Sequence, residues 1–330
     1  MMTIRALVTG ATGCVGANIV EALLARGYEV RALRRASSKL DALSGLAPDY
    51  AIGDVMDEAS LCAAMAGCEL VFHAAAVSQY WRNKPEAIYA ANVEGTRNVL
   101  RAARAQGVQR VVFTSSVAVL GVPTERGQWL DETVTFNLRP AQFHYGHSKV
   151  LAEAEVQRAV AEGLDVVIVN PVSVIGQRDV YFVGGEILRT AKRGLLVAAP
   201  PGGMGVVSAQ ATGEGHVLAA ERGRTGERYI LNGENVSHRA LMALAAKVTG
   251  GRAPWVTIPR VLMTPLAALV DLANRIRRAA PIVDGSQLHL SARDMYFDGS
   301  KAERELSFVG GSAQASVVEA WNWYREYGLL

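Results

Sequence analysis

Long apolar runs, clustered cysteines and an excess of charge are what this 330-residue chain lacks. Its most apolar later stretch, Val261 to Val270, is broken by Pro265 and closed by Asp271, too short to span a bilayer. Cys14, Cys62 and Cys68 are odd in number and have no metal-ligand spacing, which argues against a disulfide framework and fits a reducing compartment. No cleavable signal is read ahead of the first strand, so the cytoplasm is the expected location. Lys+Arg exceeds Asp+Glu by only 34 − 31 = 3, too little and too dispersed for a nucleic-acid partner. What remains is a composition half hydrophobic, enough for one large core or for a core with a smaller lobe.

An apolar run from Ile4 to Val8 leads into Gly10-Ala11-Thr12-Gly13-Cys14-Val15-Gly16, and a helical pattern, Ala17 to Ala25, follows. Glycines where a buried strand turns into a helix leave backbone N–H groups facing an anion, the arrangement that holds a dinucleotide pyrophosphate. Strands at Glu29–Arg34, Tyr50–Ile52, Glu69–His73, Arg110–Ser116 and Val166–Val169 alternate with helices at Ala59–Met65, Glu86–Ala105 and Tyr145–Ala161. That alternation predicts an α/β, Rossmann-type doubly wound parallel sheet. Beyond Gly176 it loosens, so residues 1–176 read as the nucleotide-binding domain, with a return at 205–222. Residues 177–204 and 223–330 read as a smaller substrate-binding lobe, with a short strand at Tyr229–Leu231. In the last helix, Ala315 to Tyr327, the spacing of Val317, Val318, Trp321 and Tyr324 predicts core. Arg260 to Arg278, apolar and then basic, predicts a helix packed on the body with a solvated basic end; a membrane-surface role is the alternative.

The second strand ends in Arg34-Arg35, with Lys39 just beyond and no carboxylate. An acid there would bind a ribose 2′-OH, whereas a guanidinium forks onto a 2′-phosphate, so NADP(H) is favoured, with NAD(H) the alternative. Tyr145 and Lys149 are four apart at a helix start and share one face. A neighbouring ammonium stabilises phenolate and lowers the tyrosine pKa. Ser116, from the end of the fifth strand, can then hydrogen-bond a substrate oxygen. Ser78, Gln79, Tyr80, Trp81, Phe143 and His144 border the same cleft; Gln79, Tyr80, Ser116 and Phe143 are the candidate substrate contacts. Cys14 reads as a buried inert thiol, His73 as a strand-end hydrogen-bonder, and no cluster points to a metal.

With TGATGCVG, Gly53-Asp54, HAAA from His73, NVEGT from Asn92, TSS from Thr114, YGHSK from Tyr145 and NPVSVIG from Asn170, the sequence resembles the extended short-chain dehydrogenase/reductases. Within them it is similar to the dihydroflavonol-4-reductase branch and the hopanoid-associated sugar epimerases. The resemblance implies a Ser116, Tyr145, Lys149 triad, Asp54 and Val55 at adenine, and Ala74, Ala75, Ala76, Thr114, Pro171 and Val174 along the cofactor. It implies for Asn92 a water relay to Lys149 or a helix-kink role, and a homodimer through the two long helices. Where that branch usually carries an acidic stretch, this chain has Ser208-Ala209-Gln210-Ala211. The expected function is NADPH-dependent reduction of a ketone or aldehyde. A nucleotide-sugar epimerase or dehydratase and a non-catalytic NADP-sensing regulator are the alternatives.

Overall fold

The computed structural model describes residues 4–276 and 283–330. In chain order its first half holds β1 (Arg5–Thr9), α1 (Cys14–Ala25), β2 (Glu29–Arg34), β3 (Asp49–Ile52), α2 (Glu58–Met65), β4 (Leu70–His73), α3 (Pro85–Tyr89), α4 (Gly95–Ala105), β5 (Arg110–Thr114), α5 (His144–Ala161) and β6 (Val166–Pro171). The second half adds β7 (Ser173–Ile175), α6 (Glu186–Lys192), β8 (Ala198–Ala199), β9 (Gly203–Ser208), α7 (Ala209–Arg222), β10 (Arg228–Leu231) and β11 (Glu234–Ser237). It ends with α8 (His238–Thr249), β12 (Val256–Thr257), α9 (Arg260–Ile276), α10 (Gly285–Ser291), β13 (Asp294–Met295), α11 (Ser300–Leu306) and α12 (Ala313–Glu326).

Seven strands form one sheet in the order β10-β6-β5-β4-β1-β2-β3, every neighbouring pair parallel. Helices cover both faces, which is why β6 is buried at every position and opens on the apolar run Val166–Val169. The strand order reverses between β1 and β4, and a cleft opens there beyond their carboxyl ends. A smaller sheet, β11-β9-β13 with β7 also on β9, packs with α6, α8 and α12 around Leu188, Leu241, Val317, Trp323 and Tyr324.

Four sequence expectations are corrected. The helix expected over Glu86–Ala105 is α3 and α4 joined by a π turn, Ala90–Glu94, where Asn92 ties the chain sideways. The fifth strand stops at Thr114, because Ser116 turns away to cap the 3-10 turn Val117–Leu120. Tyr229–Leu231, placed in the small lobe, belongs to β10, the buried edge strand of the main sheet, pairing with β6. In α12, Val318 is exposed and Trp323 takes its place in the core, stacked on Tyr327.

Helix α9 buries Met263 and Ala267 and turns Val261, Leu262, Leu269, Leu272 and Ile276 outward. It docks on α10 through Gly285 N–H to Asp271 Oδ1 (2.8 Å) and Asn274 Nδ2 to the Val283 carbonyl (2.8 Å). The basic end expected after it falls largely outside the described residues. Among those residues no helix is long and apolar enough to cross a membrane.

Candidate active site

The cleft encloses about 1060 Å³. At one end lies the glycine turn. Gly10 has φ +67°, and a Cβ there would come within 2.6 Å of the Ala75 backbone nitrogen; one on Gly16 would come within 2.2 Å of the Gly10 carbonyl oxygen. Only glycine allows β1, β4 and α1 to meet this closely. Gly13 precedes α1 without a side-chain cap, and no acid occupies the first turn, so the helix N-terminus keeps its N–H groups for a ligand.

Thr12, Cys14 and Val15 line this end, as do Arg34, Arg35, Asp54, Val55, Ala74, Ala75 and Ala76. Arg34 Nε is buried without a partner, an orphan donor that a phosphate oxygen would satisfy. Lys39, expected beside it, is exposed and outside the lining, because the chain folds back after Arg35, whose N–H donates to Ser38 Oγ (3.2 Å). Arg31 is committed elsewhere, donating to the Ala64 carbonyl (2.6 Å). Burial raises the Cys14 thiol well above its usual pKa, as an inert thiol requires.

Thr114, Ser116, Tyr145, Lys149, Pro171 and Val174 meet at the centre. Tyr145 contacts the Ser116 hydroxyl; burial raises its pKa above the usual phenol value, partly offset by Ser116. Lys149 Nζ donates to the Thr114 carbonyl (2.8 Å), and burial pushes its pKa down to about 8. The expected lowering of the phenol by the ammonium is therefore not seen: the lysine is anchored on the strand end and the tyrosine keeps its proton. Asn92 donates to Ser148 Oγ (2.9 Å) and the Val77 carbonyl (3.3 Å) and accepts from Val77 N–H (2.8 Å). Its carbonyl accepts from Thr96 (2.7 Å), so these bonds make it a staple between the cleft loop and α5.

Sequence reasoning missed the groups behind this centre. Glu153, one turn after Lys149 and 2% exposed, accepts from Asn170 Nδ2 (2.9 Å) and pairs with Arg228 of β10 (2.7 Å). Asn170 Nδ2 also donates to the Ser116 carbonyl (3.1 Å). The buried charge thus links helix and strand end, and its Lys149-to-Glu153 spacing was the available signal.

At the far end, Gln79, Tyr80, Trp81 and Phe143 line the cleft as expected. Tyr80 stacks nearly parallel on Tyr145, centroids 5.6 Å apart, and contacts Ser286 and Gln287 at the start of α10. His238, Leu241, Gln287, Leu290 and Phe297 complete this wall from segments distant in sequence. Among the described residues Trp81 Nε1 and His238 Nε2 are buried without partners there, as is Ser115 Oγ nearer the centre. Ser208 accepts from Ala211 N–H (2.9 Å) and caps α7, so the departure at 208–211 lies outside the cleft lining.

Three histidines are held neutral by burial, which pushes His73 down to about 3 and His216 and His238 to about 4. His73 Nε2 donates to Thr96, whose own hydroxyl is spent on Asn92, and Nδ1 accepts from Thr9 (2.8 Å). An unfolded histidine titrates near 6.5, so below that pH the unfolded chain binds more protons than the folded one. Stability contributed by these groups is complete above about pH 6.5 and is lost as pH falls toward 4. Asp179 and Glu319, raised by burial, act in the opposite sense at the acid end of that range. The urea midpoint should therefore fall between pH 7 and pH 5; an unchanged midpoint contradicts neutral burial of the three rings.

A doubly wound parallel sheet, a glycine cradle at its switch point and a tyrosine–lysine pair at the cleft centre define a dinucleotide-binding enzyme scaffold. The chain belongs to the NAD dependent epimerase/dehydratase family, whose profile matches residues 6–196. It is 39% identical to a Synechocystis sp. protein provisionally named dihydroflavonol 4-reductase, covering 98% of this chain and 95% of that one. It is 35% identical to sterol demethylase protein B of Methylococcus capsulatus, covering 98% and 99%. The crystal structure of gox2253 superposes with a TM-score of 0.86 at 35% identity, covering 98% of both chains. The protein is accordingly an extended short-chain dehydrogenase/reductase of the dihydroflavonol-reductase-like branch, an NAD(P)-dependent enzyme of oxidoreductase or epimerase type.

Proposed function

We propose that the protein is an NADPH-dependent reductase of an apolar ketone or aldehyde. One observation carries this reading over a nucleotide-sugar epimerase: the only cations among the described lining residues are Arg34, Arg35 and Lys149, all at the cofactor end or the centre. A nucleoside diphosphate would need cationic donors at the substrate end, where Tyr80, Trp81, Phe143, Leu241, Leu290 and Phe297 dominate the wall and its polar members, Gln79, His238 and Gln287, are neutral. Sterol in the Methylococcus relative's name fits a ligand of this polarity.

When bound in the cleft, NADPH would supply the hydride equivalent for the carbonyl carbon. Arg34 and Arg35 would hold the 2′-phosphate, and the glycine turn the pyrophosphate. Tyr145 gives its proton to the carbonyl oxygen as the alcohol forms. Ser116 orients that oxygen; Lys149 would hold the ribose, and its ammonium returns a proton to the tyrosinate and is itself recharged from solvent. His238 and Trp81 offer neutral hydrogen bonds to a second polar group on an otherwise apolar substrate. The retained Tyr145 and Lys149 favour an enzyme over a cofactor-sensing regulator. The helices α4 and α5 are the proposed homodimer face.

Fluorescence titration with NADPH and NADH, then NADPH consumption over a panel of flavonoid, steroid, terpenoid and simple ketones beside nucleotide sugars, tests the reading. Expected are tighter binding of NADPH, by tenfold or more, and turnover of bulky apolar ketones; one bidentate arginine–phosphate contact of about 1.5–3 kcal/mol is enough for that ratio. Preference for NADH overturns the role of Arg34 and Arg35. Turnover confined to nucleotide sugars overturns the reductase.

A further inference from the structure

Two apolar stripes run along α9, and among the described residues only one has a partner. Met263, Leu266, Ala267 and Val270 face the body. Leu262, Pro265, Leu269, Leu272 and Ile276 follow at steps of three and four on the outer side, with Leu269 63% and Ile276 75% exposed. Just before the helix, Trp255 is 71% exposed, and its N–H bonds the carbonyl of Val197, itself exposed beside Leu195. Scattered exposed apolar residues need no explanation, but a periodic stripe this long on a surface helix marks a contact.

We propose that this outer stripe docks on the surface of an anionic lipid bilayer, setting the mouth of the cleft against the membrane. Charge favours that occupant. From Gly250 to Ala280 the sequence holds five arginines and one acid, Asp271; with Arg260 paired to Asp294 (2.8 Å), four arginines still stand against that single acid. Outward leucine and isoleucine, a tryptophan at one end and arginine as the flanking charge make up the chemistry of an interfacial helix. A second copy of the chain would instead bring a segment of the same net positive charge against this one.

Position favours it too. On its inner edge α9 reaches a recess of about 190 Å³ that Asp271 lines together with Tyr80, Asn83 and Phe143, and these last three also line the main cleft. The docked face therefore lies beside the aromatic lip of the substrate end. Docking rests on this surface alone; its use, entry of an apolar carbonyl compound from the bilayer, rests on the reductase reading.

The test is co-sedimentation of the full chain with phosphatidylcholine vesicles, with and without phosphatidylglycerol. The wild type should sediment with the anionic vesicles and be released as salt is raised. The double variant Leu269→Glu, Leu272→Glu should lose at least tenfold in vesicle affinity while keeping its melting temperature and NADPH titration. Wild-type protein left in the supernatant, or a double variant that binds equally, overturns the proposal. So does light scattering that shows a dimer which the double variant splits, since the stripe would then be an interface between copies. Binding to anionic vesicles together with a silent carbonyl panel would leave the docking standing and remove the reductase.

Discussion

Tyr145→Phe should lower kcat for a reduced ketone by about 10²- to 10⁴-fold, the usual worth of a positioned general acid. Its NADPH titration curve should not move. The ring is retained and only the hydroxyl is lost, a contact worth about 1 kcal/mol, so the fold should stand. Because burial raises the Tyr145 pKa, the phenol is protonated at neutral pH and ready to give its proton in the reductive direction. Single-turnover absorbance at the NADPH band checks this directly. A Phe variant with wild-type kcat would remove Tyr145 from the chemistry and leave the assignment without its acid.

Glu153→Ala should cost both stability and rate. Breaking a fully buried ion pair costs about 3–5 kcal/mol. Arg228 is 31% exposed and can turn to water, so about 2 kcal/mol is the better expectation, or roughly 4 °C in Tm. The rate effect comes from geometry. Asn170, released from Glu153, no longer fixes the Ser116 carbonyl, and kcat should fall roughly tenfold through lost alignment. Glu153→Gln keeps an acceptor for Asn170 and should recover most of the rate while losing the charge pairing with Arg228. Thermal melts and steady-state kinetics on both variants separate the two effects. An alanine variant equal to wild type in Tm and kcat would make this buried charge incidental.

The half of the site proposed for the cofactor was legible because it is local. Gly10, Gly13 and Gly16 sit within one turn, and Tyr145 and Lys149 within one helical turn, so spacing alone places them together. Arg34 and Arg35 follow from where β2 ends. Lys39 did not, since the turn after Arg35 carries it away from the cleft, and a turn's direction is poorly encoded in its composition. The substrate end escaped reading for a different reason. Tyr80 and Leu290 face one cleft only after β9, α8 and α10 have assembled, and nothing in either neighbourhood points to the other. Arg228 reaches Glu153 across 74 intervening positions for the same reason. The π turn at Asn92 was equally hidden, because a single widened turn leaves the helical periodicity around it almost intact.

Strand β10 carries a lesson for building chimeras from this scaffold. It lies on the edge of the main sheet, yet the chain reaches it only after passing through the small sheet and α7. Lys301 of α11 then returns to its Arg228 carbonyl (2.7 Å). A splice that took residues 1–176 from one parent and the remainder from another would bring in a foreign edge strand, and with it a foreign partner for Glu153. Exchange of substrate preference between parents therefore calls for two grafts, one before β10 and one after it, with Arg228–Leu231 left native between them.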